Sequence, residues 1–174
     1  MVVLQKIADI KKSLDSGSYQ SALALTLTLP DICRQVEYGN TKTGTEGYPT
    51  WIDTYVDFSE CYIGFGTEEA ELNGKICYAL RCSFLHCGND DILSQKVAKN
   101  CTIDNFELRK PNGIEGGYGY AYRIKNLQSG DKEISTIFDV EFFCTLICDA
   151  VEKYYNNHSN KNEFDKYICA KFVN

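Results

Sequence analysis

Two residues near the middle of the chain have the types and spacing to do chemistry. Arg81 and His86 lie five positions apart in LRCSFLHCGN, residues 80–89. Histidine moves protons near neutral pH. Arginine stays charged and grips phosphate with a planar fork. Together they hold two of the parts that metal-free RNA cleavage needs: a proton-transfer group for the 2′-hydroxyl or the leaving oxygen, and a cation for the phosphorane. Five residues on an ideal α-helix turn through about 500°, so the two side chains diverge by about 140°. They can meet only if the helix end tightens or unwinds. The alternative is structural: Arg81 is an exposed helix residue pairing with Glu69, Glu71 or Asp90, and His86 sits favourably at a helix C-terminus.

Other candidates are weaker. Asp53 and Asp57 are four apart beside Trp51 and Tyr55. Such carboxylates can bind a metal or act as acid and base, but solvated helix acids are commoner. Asp53 is expected to orient Arg81 or His86 across a helix bundle. GGYGYAY, residues 116–122, could stack nucleobases, although a hairpin of cross-strand tyrosine pairs explains it as well. His158 falls in the polar run YYNNHSNKN and is expected to be solvated. There is no phosphate-binding glycine loop, no dinucleotide-binding glycine motif and no serine nucleophile elbow.

The 174 residues suit one domain, and their composition suits a soluble globule. The net charge of −6, without a lysine and arginine stripe, argues against a dedicated duplex-DNA binder. It leaves room for an RNA site built from a few residues in a cleft. No apolar run reaches the ~20 residues of a membrane span, and MVVLQKIADIKKSLD lacks a signal-peptide pattern. The expected location is the cytoplasm, with no membrane association. Nine cysteines form no C-x-x-C pair. They read as small core hydrophobes rather than zinc ligands or a disulfide framework, and no cofactor or metal is expected.

These residues must be positioned by helices. Val3, Ile7, Ile10 and Leu14 form one apolar stripe over residues 2–15. Residues 19–29 alternate like a strand near LALTLTL, but the alanines and a serine cap favour a helix. Pro30-Asp31 should kink or restart it before a stop at Gly39. GNTKTGTEG, residues 39–47, reads as a polar, mobile loop, and Pro49 as the first turn of a third helix through residue 62. Thr67 with Glu68, Glu69 and Glu71 suits the start of the helix that carries Leu72, Ile76, Leu80 and Phe84 and stops at Gly88. Residues 100–138 hold short aromatic and β-branched pieces between turn residues, the pattern of an antiparallel meander. Helix periodicity returns from Val140, and EFDKYICAKFV makes a short final strand or helix. The expected fold class is mainly α, a helical bundle with a small antiparallel β insertion at about 100–138, in a single domain over 1–174.

The run R-C-S-F-L-H, within L-R…L-H-x-G-N, resembles the R-x4-6-H signature of HEPN domains, and the preceding apolar helices, WIDTYV among them, resemble that family's layout. The resemblance covers the helices before residue 100 and the helix from 140; the β segment lies outside the family's core pattern. It implies an all-α domain that forms a homodimer in which two motifs meet, and a metal-independent endoribonuclease of a toxin or defence system. Arg81 would then contact the scissile phosphate and His86 would transfer protons. Cys82 stands where active members usually carry a polar residue; Ser83 or Asn89 would have to substitute for it. Two other functional classes stand beside this one. One is a catalytically silent domain of the same fold that binds RNA, a nucleotide or a protein partner. The other is a small acidic protein-interaction module.

Overall fold

A computed structural model of the chain describes residues 2–58, 72–87, 105–110, 120–130 and 132–167. The described residues are mainly helical, with one small sheet. Helix α1 spans Val2–Asp15 and buries Val3, Ile7 and Ile10, as its stripe requires. Helix α2, Tyr19–Tyr38, lies at the centre and touches α1, α3 (Gly44–Tyr55), α4 (Gly74–Cys82) and α5 (Val140–Asn157). This central position explains the strand-like alternation of LALTLTL. A helix covered on several sides is apolar on several sides, so its period is blurred. Ala22, Leu23, Leu27, Leu29, Ile32 and Cys33 are all buried.

Pro30 does not restart the helix. Helix α2 runs through it for 20 residues and stops at Gly39, whose φ of 54° is left-handed. Proline removes one ladder donor, and burial of the flanking side chains among four other helices holds the segment helical despite that loss.

The expected loop at residues 39–47 is shorter than its composition suggested. Helix α3 begins at Gly44 and ends at Tyr55. The Glu46 carboxylate accepts from the backbone N–H of Thr43 at 3.3 Å, so T-x-x-E acts as a helix start rather than as loop. Helix α4 also starts later than expected, because residues 72 and 73 are non-helical. Asn73 is the cap: its side-chain oxygen accepts from Lys75 N at 3.0 Å and Ile76 N at 3.1 Å. Thr67 to Glu71 and Gly88 lie outside the described residues.

The sheet is not an antiparallel meander. Its order is β1-β3-β2, with β1 at Asn105–Arg109, β2 at Tyr120–Asn126 and β3 at Lys132–Asp139. β2 and β3 pair antiparallel as a hairpin, whereas β1 pairs parallel to β3, with Phe106 opposite Thr136. The turn signals marked where strands stop, but strand order is set by side-chain docking. Phe106 and Phe138 meet edge-on at 5.9 Å, and Phe138 continues to Phe143 at 4.9 Å. That chain of rings fixes β1 and β3 against α5. β3 runs directly into α5, whose cap is Asp139, accepting from Phe142 N at 3.0 Å. After α5 a 3₁₀ helix, Lys161–Tyr167, packs back on α2. The end of the expected last element, residues 168–174, lies outside the described residues.

Cys33, Cys77, Cys82, Cys144 and Cys148 are buried free thiols, in keeping with cysteines used as core hydrophobes. No described helix is long and apolar enough to cross a membrane.

Candidate site at the arginine–histidine turn

The motif sits where α4 changes its winding. Arg81 lies in the last turn of α4, and Ser83–Cys87 continue as one π-helical turn. In π winding the backbone bonds run from i to i+5. Residues five apart, which diverge on an α-helix, are brought onto one side. Arg81 Nη1 and His86 Nε2 are accordingly 2.6 Å apart. Guanidinium is a donor only, so Nε2 is the acceptor in this contact. His86 is exposed, whereas Cys82 and Ser83 on either side of the transition are buried.

The acid that orients the pair is Asp31, not Asp53. Asp31 Oδ2 accepts from Arg81 Nε at 2.9 Å, and Oδ1 accepts from Arg34 Nε at 3.2 Å. One carboxylate from the middle of α2 thus fixes two guanidiniums. The Arg81–Asp31 pair retains about a fifth of its side-chain exposure on each partner. Burial pulls the Arg81 pKa down, but the charge and hydrogen bond of Asp31 outweigh it and leave it raised. Tyr78 supports the arginine from below, with the guanidinium carbon 5.9 Å from its ring centre. Burial, then the neighbouring Cys82, raises the Tyr78 phenol pKa.

Asp53 has a different task. Its Oδ1 accepts from Gly74 N at 2.6 Å and ties α3 to the first residue of α4. The two helices come very close there, since a Cβ on Gly74 would lie 2.2 Å from the Pro49 carbonyl oxygen. Asp53 positions the helix that carries the motif rather than the motif itself. Ser83 is fully buried, inside the π turn. Asn89 lies outside the described residues, as do residues 116–119 of the tyrosine-rich stretch. His158 is not solvated: it ends α5, pairs with Glu163 at 3.0 Å and stacks edge-on against Phe164 at 5.4 Å.

Asp31 was the residue hardest to find in the sequence. The signal is an acid inside the run Leu29-Pro30-Asp31-Ile32-Cys33, whose other members are all buried, with Arg34 three residues on. A carboxylate in such surroundings needs a charged partner. A cavity of about 390 Å³ opens beside it, between α1, α2, Arg81 and the 3₁₀ helix. Among the described residues there is no group of three or more His, Cys, Asp or Glu side chains placed to hold a metal ion.

No family model, curated protein or solved structure is significantly similar to this chain.

Proposed function

We propose that this protein is a HEPN-like, metal-independent endoribonuclease acting in a toxin or defence system, with Arg81 and His86 as its catalytic pair. The observation that supports the reading is the 2.6 Å contact between Arg81 Nη1 and His86 Nε2, held by Asp31 on the far side of the guanidinium. In the proposed cycle the scissile phosphate draws the Arg81 Nη1 donor onto its oxygens in place of His86. That releases His86 Nε2 to take the proton of the 2′-hydroxyl. The 2′-oxygen bonds to phosphorus and the bond to the 5′-oxygen breaks. The leaving 5′-oxygen takes a proton from an acid, and the products are a 2′,3′-cyclic phosphate and a 5′-hydroxyl. Each protomer brings one histidine, His86, to this site, so the acid in this scheme is the partner subunit's His86, in a homodimer.

A second reading is a silent domain that binds RNA, a nucleotide or a protein partner. It is favoured by Cys82, a buried thiol where an active site of this type usually places a polar group. Incubation of purified protein with single-stranded RNA in the presence of a chelator separates the two. Cleavage to cyclic-phosphate ends, lost in Arg81→Ala and His86→Ala, is the expected result. Cleavage that survives both substitutions, or none by the wild type, removes the nuclease reading.

A further inference from the structure

We propose that the cavity beside Asp31 seats a second phosphate of the same RNA strand, next to the one gripped by Arg81. The inference rests on the nuclease reading for its choice of ligand, and on the cavity's own chemistry for its place. Lys6 of α1, Asp31, Arg34 and Gln35 of α2, Arg81 of α4 and Tyr167 line it. Three cationic side chains face one carboxylate, a local excess of two positive charges in a chain whose net charge is −6. A positive focus lets a polyanion approach a molecule whose net negative charge otherwise repels it.

The geometry favours a strand over an isolated anion. Asp31 holds Arg34 and Arg81 by their Nε atoms, one on each carboxylate oxygen. The two guanidiniums are therefore neighbours with fixed orientation. With its amide oriented to satisfy its neighbours, Gln35 accepts from Arg34 Nη2 at 3.2 Å and Nη1 at 3.3 Å, which steadies the second fork. Arg81 is shared between the cavity and His86. A strand whose reacting phosphate lies on Arg81 at the histidine side has its adjacent phosphate on the cavity side, within reach of Arg34 and Lys6. Tyr167, partly exposed at the rim, offers a ring to the intervening base. The cavity volume suits one nucleotide unit, not a folded partner.

The test is binding of a fluorescein-labelled 2′-O-methyl oligouridylate, which lacks the attacking hydroxyl and stays intact, read by anisotropy across a salt series. Lys6→Glu should weaken binding about tenfold and lower the salt slope by about 0.7, the value for one phosphate of a single strand. Arg34→Gln should weaken it by a similar factor, with circular dichroism confirming the fold. Lys11→Glu is the matched charge change outside the cavity: Lys11 is on the same helix but pairs with Glu152 at 3.8 Å. It should alter binding less than twofold. Equal effects of Lys6→Glu and Lys11→Glu, or no effect of Lys6→Glu, overturn the subsite. Competition by uridine monophosphate as strong as by the oligonucleotide also overturns it, in favour of a free nucleotide. Binding that is sensitive to Lys6→Glu, with an unmodified strand left uncleaved, supports the subsite while removing the nuclease reading.

Discussion

Asp31 and Arg81 stand 50 residues apart in sequence and 2.9 Å apart in space, joined by a bond from the guanidinium Nε to Oδ2. The same carboxylate takes Arg34 on its other oxygen. Removing it leaves two adjacent guanidiniums without their shared counter-charge. For Asp31→Asn we expect a stability loss of about 1–2 kcal/mol, because the pairs are partly exposed and screened. The proposed RNA cleavage should fall further, by about tenfold or more, since Arg81 loses its anchor. Urea titration and cleavage rates on the same preparations check this. A rate loss no larger than the fraction unfolded would show that Asp31 serves only stability.

Arg81→Lys tests geometry against charge. Lysine keeps the positive charge but presents its donors from one nitrogen, without the rigid fork that reaches Asp31 from Nε and His86 from Nη1. On the proposed mechanism, cleavage should drop about a hundredfold or more, with a melting temperature close to that of the wild type. Wild-type rates in Arg81→Lys would mean that any cation suffices and that the fork is irrelevant.

Gly74→Ala should destabilise the protein by about 1–3 kcal/mol, since the new methyl would overlap the Pro49 carbonyl and force α3 and α4 apart. Asp53→Asn should cost less, because an amide oxygen can still accept from Gly74 N. Thermal unfolding of both variants ranks them. A milder Gly74→Ala than Asp53→Asn would contradict the close approach.

Alkaline pH should destabilise the core through its buried thiols. Burial raises the Cys144 pKa from its ordinary 9.0 to about 11 and the Cys148 pKa to about 12. Both folded values exceed the unfolded one, so the unfolded chain releases these protons first. Stability should hold below pH 9 and fall between pH 9 and about 11–12. Cys144 accounts for about 2–3 kcal/mol of that fall. Urea midpoints measured from pH 8 to 11 should show the decline, and Cys144→Ala should flatten it. A decline of unchanged slope in that variant would assign it to the other buried groups, Cys33 and Cys148 before the buried tyrosines.

How much of this was legible follows from the range of the forces involved. The stripe of α1, the return to helix at Val140 and the stop at Gly39 are local patterns, and each stands in the structure as read. The missed starts at Gly44 and Gly74 were local too, but composition masked them: Thr43 with Glu46, and Asn73, look like loop until their capping bonds are seen. Pro30 illustrates the opposite case. Its local preference is to break a helix, and the packing around α2 overrides it.

By itself the sequence determined a mainly helical chain with a short β segment, a core reading for the cysteines that holds for Cys33, Cys77, Cys82, Cys144 and Cys148, and an arginine and a histidine five apart at a helix end. These follow from periodicity, burial preference and spacing, which act over a few residues. Only the tertiary structure decided that β1 lies parallel to β3, that the turn after Cys82 widens, and that Asp31 rather than Asp53 faces Arg81. Each depends on contacts between distant segments, where the free energy is set by which surfaces fit together. On the helix that its local pattern implied, Arg81 and His86 point apart, and the wider turn of the folded chain brings them together.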